Sequence, residues 1–173
     1  MAYLIQAGLQ VSIDGTTWYK LTDHNREPID ISTEIIQSES RMANGTMRKY
    51  VVSKKDTISV SWNYVPAFHF KRNPANGLFL TGDDNQLTVD GNLSSAWLES
   101  FYKNNSGLPI ILKVVSAEYA TDPAFGSLPS GAVATSQTGF KTYNVFMNNF
   151  SKTIINRTKI SDYVDMSIDF TEI

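Results

Sequence analysis

The side chains able to do chemistry in this chain are few. Its 173 residues include two histidines and no cysteine. His24 lies in Thr22-Asp23-His24-Asn25-Arg26, which reads as an exposed turn, and His69 lies in Phe68-His69-Phe70-Lys71, at the expected end of a strand. A Ser-His-carboxylate relay needs one of them beside a serine and an acid, and no G-x-S-x-G elbow is present to offer that serine. Solvated or structural histidines are the simpler reading. The lack of cysteine removes a disulfide scaffold, a thiolate zinc site and a thiol nucleophile together. Asp83-Asp84-Asn85 followed by Asp90 supplies oxygen atoms of the type that hold calcium. The EF-hand spacing is not met, since its Gly and closing Glu are missing, and such loops are far more often turns. The expectation is a chain with no catalytic residue, no metal and no cofactor.

A second set of residues is basic. Arg41, Arg48, Lys49, Lys54 and Lys55 fall close together, just after Asp30, Glu34 and Glu39. One reading is a phosphate-facing patch, and another is charge placed on strand edges to block aggregation. A third is pairing of acidic and basic edges between copies of the chain. No glycine-rich phosphate loop and no aromatic-basic single-strand motif accompanies the patch, which argues against nucleic-acid recognition. N-x-S/T triplets begin at Asn44, Asn92, Asn104, Asn149 and Asn156. They follow from a composition rich in Asn, Ser and Thr and carry no glycosylation signal without a leader peptide.

Composition sets the frame for these side chains. An apolar share of 42% supports a real core, and a charged share of 18% is too low for a disordered chain. The net charge of −2, from 15 basic against 17 acidic residues, gives no global attraction for phosphate. The length suits one domain spanning residues 1–173. No stretch approaches the ~20 apolar residues needed to cross a bilayer. The first residues, Met1-Ala2-Tyr3-Leu4-Ile5-Gln6, have neither the basic region nor the apolar core of a signal peptide, so the reading is a soluble chain made in the cytoplasm.

Period-two alternation dominates the elements that would position any site. Ile58, Val60, Trp62 and Tyr64 alternate with Thr57, Ser59, Ser61 and Asn63, which predicts a strand with one buried and one wet face. Val164, Met166, Ile168 and Phe170 repeat the design against Asp165, Ser167, Asp169 and Thr171. Residues 142–150 alternate with apolar members on both sides, and residues 108–116 form a continuous apolar run suited to a central strand. Asn44-Gly45 predicts a hairpin with a two-residue type I′ turn between residues 33–43 and 46–53. Its arms are polar, and an isolated two-stranded ribbon is marginal in water, so the hairpin needs a larger sheet or another chain. One helix is predicted over residues 95–103, with Trp97, Leu98, Phe101 and Tyr102 in one stripe and Ser94 or Ser95 as its cap. Residues 71–93 and 119–141 read as long loops.

The order of these parts resembles that of the tail tube proteins of long-tailed bacteriophages. The resemblance rests on Arg41-Met42-Ala43-Asn44-Gly45-Thr46-Met47-Arg48-Lys49-Tyr50, on Ile58 to Pro66, on the Asp90-Gly91 loop leading to Trp97-Leu98 and Phe101-Tyr102, and on the ending Val164 to Glu172. It covers about two thirds of the chain, as order and type of elements rather than as one diagnostic motif.

What the resemblance implies is a mainly β chain, a β-sandwich or half-barrel with a long hairpin and one short flanking helix. Six copies would form a ring closed by an inner barrel. Rings would stack into a tube, partnered by other tail proteins, through which DNA passes without being specifically held. The implied location is the virion tail, assembled in the host cytoplasm, with no membrane partner. A weakly acidic chain suits such a conduit, because a basic lining would retain phosphates.

The residues expected to matter are then structural. Asn44 and Gly45 set the turn, Arg41, Arg48 and Lys49 serve assembly, and Trp62, Trp97, Phe101 and Met166 pack helix on sheet. Two alternatives stand beside this reading. One is a single-ring tail component such as a distal tail, collar or terminator protein. The other is a carbohydrate-binding β-sandwich adhesin using exposed Trp18, Tyr19 and Tyr143.

Overall fold

The computed structural model describes residues 8–68, 75, 76, 78, 88, 92–116, 140–158 and 162–173. His69, Asp83-Asp84-Asn85, Asp90 and most of the two long loops lie outside the described residues. The strands are β1 (Leu9–Ser12), β2 (Tyr19–Lys20), β3 (Asp30–Arg41), β4 (Met47–Pro66), β5 (Ile110–Val115), β6 (Phe140–Arg157) and β7 (Asp162–Glu172). One helix, α1 (Ser95–Asn105), precedes β5. The fold is mainly β, and the described strands make one antiparallel sheet in the order β2-β1-β5-β6-β7-β4-β3. Phe140 and Lys141, read from sequence as the end of a loop, open the long strand β6.

Alternation in the sequence becomes two faces of this sheet. Ile58, Val60 and Trp62 of β4, Tyr143, Val145 and Met147 of β6, and Met166, Ile168 and Phe170 of β7 are buried in one core cluster, and Val164 of β7 is buried too. Leu9 and Val11 of β1 and Ile110, Leu112 and Val114 of β5 extend it. β5 sits between β1 and β6, the interior place that its continuous apolar run predicts.

The alternation breaks at Tyr64, and here the sequence reading needs correction. The β4–β7 register shifts between Trp62 and Val65, Tyr64 takes φ 57°, and Val65 occupies the buried position instead. Tyr64 is turned out, 44% exposed, and stacks on Tyr163 with ring centroids 4.6 Å apart. A bulge inserts one residue and so moves every later side chain to the other face.

The helix lies where its apolar stripe predicts. Leu98 and Phe101 are buried, and Trp97 and Tyr102 pack partly buried against the same cluster. Trp97 stacks on Phe101 at 4.8 Å, and Tyr102 on Phe150 of β6 at 5.4 Å. Ser94 stands at the N-cap position, as predicted, but its side chain makes no capping hydrogen bond. The Ser94 hydroxyl donates to the Ala67 carbonyl at 3.1 Å, the same oxygen that accepts the Ala96 amide at 2.8 Å, while the buried Ser95 hydroxyl has no partner. A backbone carbonyl from the end of β4 thus takes the place of a side chain in orienting this first turn, which fixes α1 to the sheet.

Candidate assembly surface

The most unusual surface is the β3–β4 hairpin. β4 pairs with β7 only from Thr57 onward, so the stretch from Glu34 to Arg41 and from Met47 to Lys55 is a ribbon of two strands alone among the described residues. Eight residues of extended chain give this arm a reach of about 27 Å. Every residue of β3 is exposed, and the arm shows water Ile35, Ile36, Met47, Tyr50, Val51 and Val52. Val52 is the extra residue of a bulge opposite Ile36 and Gln37, and is 73% exposed. A monomer gains nothing from holding so much apolar surface on a marginal ribbon.

The arm turns at the predicted place but not with the predicted turn. The Gly45 amide donates to the Met42 carbonyl and the Met42 amide to the Thr46 carbonyl, both at 2.9 Å. Gly45 has φ 83°, while Asn44 is not in the left-handed region. This is a three-residue loop with glycine at its left-handed position, rather than a type I′ turn. The Asn44 side-chain oxygen accepts the Thr46 amide at 3.1 Å, a local bond that serves the loop without a second positive φ.

The charged residues singled out from sequence fall on this arm in register. Glu34 lies opposite Lys55, Glu39 opposite Lys49, and Ser40 opposite Arg48. Acidic and basic sets therefore interleave on one ribbon instead of forming two separate edges. Arg41, Asn44, Gly45, Arg48 and Lys49 come together at and near the tip. Trp62, Trp97, Phe101 and Met166 come together elsewhere, in the core around the helix.

The sheet face opposite that core is polar, and its components were not gathered by sequence reasoning. Ser59 donates to Asp169 at 2.8 Å, the Ser151 and Ser167 hydroxyls lie 2.8 Å apart, and Asp165 accepts the Tyr64 amide at 2.8 Å. Register places Asp30, Ser32, Thr57, Ser61, Thr153 and Thr171 on the same face, with Lys55, opposite Glu34, on that face at the root of the arm. The signal was present as the Ser, Thr and Asp alternating with apolar residues in β4 and β7, but adjacency of the strands was needed to assemble it.

Two sheet edges are open in the described residues. β3 has no neighbour on its outer side, and β6 beyond Val145 has none on the side where β5 ends. These edges flank the four long strands β6-β7-β4-β3. Bulges at Met147/Phe150 and Ile154/Asn156 give β6 extra twist.

The stacking platform expected of an adhesin is not formed. Tyr143 is buried in the core, Tyr19 packs on Trp97 and Phe101, and Trp18 lies half-buried beneath the Lys113 ammonium, 3.6 Å from its ring centre. His24 sits in its turn with its amide donating to the Thr22 hydroxyl at 3.1 Å. Among the described residues no three His, Asp or Glu side chains gather as a metal site, and no helix is long and apolar enough to cross a membrane.

No protein-family model matches the chain, and no curated protein sequence matches it. A solved structure does. A chain from the tail of an empty GTA particle, computed with helical refinement and C6 symmetry, superposes with a TM-score of 0.50 over 96% of this chain and 90% of that one. The two share a fold. At 8% identity the likeness lies in the arrangement of strands, not in retained side chains.

Proposed function

We propose that the chain is a non-enzymatic structural subunit of a phage-type tail, forming rings that stack into a tube. The observation that carries this reading is the pair of long edges left open among the described residues, β3 and distal β6, on opposite sides of one four-strand unit. Such edges invite pairing, and closure into a ring removes them. The strands of the unit alternate in direction, so copies related by rotation bring β3 of one antiparallel to β6 of the next, and the ladder continues without a fault. β3 carries Asp30, Glu34 and Glu39, while β6 beyond Val145 carries Lys152 and Arg157 and no carboxylate. The shared fold with a C6 tail chain supports the same reading.

Closure in this manner has a consequence for the bore. Helix α1 occupies the core side of the sheet, so the face of serine, threonine and aspartate turns inward. A lining whose described residues are mostly serine, threonine and aspartate lets duplex DNA pass, because phosphates find little to hold them. Other tail proteins would cap the tube ends, in a virion assembled inside the host cell.

Negative-stain electron microscopy of the purified chain over a concentration series tests this. Hollow six-fold rings, alone and stacked, are expected. Monomers at every concentration would sink the reading, and rings that never stack would reassign the chain to a single-ring tail component.

A further inference from the structure

We infer that rings join through opposite charge, the basic arm tip of one copy seating on the acidic far end of the sheet of a copy in the next ring. This rests on the ring reading above and adds the contact between rings. The occupant of the arm is thus a second copy of the chain.

The arm beyond Asp56 carries five cations, Arg41, Arg48, Lys49, Lys54 and Lys55, against two carboxylates, Glu34 and Glu39. β4 runs 20 residues from Met47 to Pro66, which separates the tip of the arm from the other end of the sheet by about 60 Å. At that far end Asp165 accepts the Tyr64 amide at 2.8 Å, and Glu27 accepts from the Asn63 side chain. Asp162 also lies at this end, opposite Arg157 in the β6–β7 register, and Arg26 binds Asp23 at 2.9 Å. Among the described residues this end carries four carboxylates, Asp23, Glu27, Asp162 and Asp165, against two cations, Arg26 and Arg157, so the described residues of the two ends carry opposite net charge.

Apolar surface is matched as well. The arm offers exposed Met47, Tyr50, Val51 and Val52, and the far end offers the stacked Tyr64 and Tyr163 rings. Tyr64 is held at φ 57°, a left-handed conformation that is strained for a side chain with a Cβ. That strain turns its ring outward beside the carboxylates. Contacts of this head-to-tail kind do not close on themselves, so they extend a stack without limit, and two like ends meeting would oppose like charge.

Two charge-reversed chains test the inference. Arg48→Glu with Lys49→Glu gives a chain with an acidic arm, and Glu27→Lys gives a chain with a less acidic far end. All three positions are exposed, so rings should form from each. Each chain alone is expected to give single rings and no tubes, whereas a mixture of the two should restore mixed stacks. The unaltered tubes should also fall apart into intact rings in molar salt, where screening acts within about 3 Å. Tubes formed by the acidic-arm chain alone, or a mixture that stays as single rings, would overturn the inference and leave the ring reading standing. Failure of the unaltered chain to form rings would instead overturn the reading beneath it.

Discussion

The Trp62 indole donates to the Thr22 carbonyl at 2.7 Å, joining the middle of β4 to a turn 40 residues earlier in the chain. Trp62 is fully buried, so the bond forms where neither group can exchange it for water. It ties the β2–β3 connection onto the core and sets where β3 begins.

Replacing Trp62 tests that tie. Trp62→Phe keeps most of the buried area but removes the donor, and should lower unfolding free energy by about 1–3 kcal/mol. Trp62→Ala also leaves a cavity and should cost about 3–5 kcal/mol. Chemical denaturation followed by circular dichroism measures both. A Trp62→Phe chain as stable as the unaltered one would show that the hydrogen bond contributes little, whereas equal losses in the two variants would show that the cavity adds little to the loss of the bond.

Glu99 links α1 to β6. Its carboxylate accepts from Lys103 at 2.6 Å and from Lys152 at 2.8 Å, and these two bonds, that to Lys103 first, hold its pKa below the ordinary 4.5. A carboxyl whose pKa is lowered on folding adds stability above the unfolded value, and that stability is lost as pH falls through the folded one. Glu99→Gln should therefore be less stable than the unaltered chain at pH 7, and the gap should narrow as the pH drops below about 4. Denaturant midpoints at pH 7, 5 and 3 check this. A gap independent of pH would mean that the carboxylate charge plays no part.

Gly45 is required by conformation alone, since a Cβ added there would meet nothing within 4 Å. Gly45→Asn should be tolerated, because asparagine enters the left-handed region readily, whereas Gly45→Val should cost about 1–2 kcal/mol locally. The expected signature is faster amide exchange in the arm with the core transition unchanged, together with loss of assembly. Tubes of normal length from Gly45→Val would remove the arm from the assembly argument.

The polar face carries a prediction about DNA. Asp169→Lys with Ser167→Lys places two cations per copy on the proposed lining. Tubes of this variant should retain short duplex DNA in low salt and release it in high salt, since each phosphate contact adds about 0.9 to the logarithmic salt slope. Co-sedimentation reads the outcome. Equal, weak retention by altered and unaltered tubes would place these residues away from the bore.

Much of the secondary structure was legible in the residues. Alternation around Trp62 and around Met166 marked strands and their buried sides, the Trp97-to-Tyr102 stripe marked the helix, and Asn44-Gly45 marked the hairpin tip. These signals are local, because a side chain's direction follows from the period of its own segment. Strand β1 gave less warning, since Gln10 and Ser12 are buried beside Leu9 and Val11 and erase the alternation. The bulge at Tyr64 was likewise silent, because it depends on the register with β7 rather than on β4 alone.

The sequence by itself determined most of the residues of β3 to β7 as strand, the apolar face of β4 up to Trp62 and of β7, and that a long polar hairpin has no core of its own. Only the tertiary structure decided which strands are neighbours, and hence that β3 and distal β6 have no strand on their outer sides among the described residues and that one face gathers serine, threonine and aspartate. Strand order depends on hydrogen bonds between segments up to 116 residues apart, as between Asp56 and Glu172. No local pattern encodes such a choice, because every extended backbone offers the same ladder of donors and acceptors.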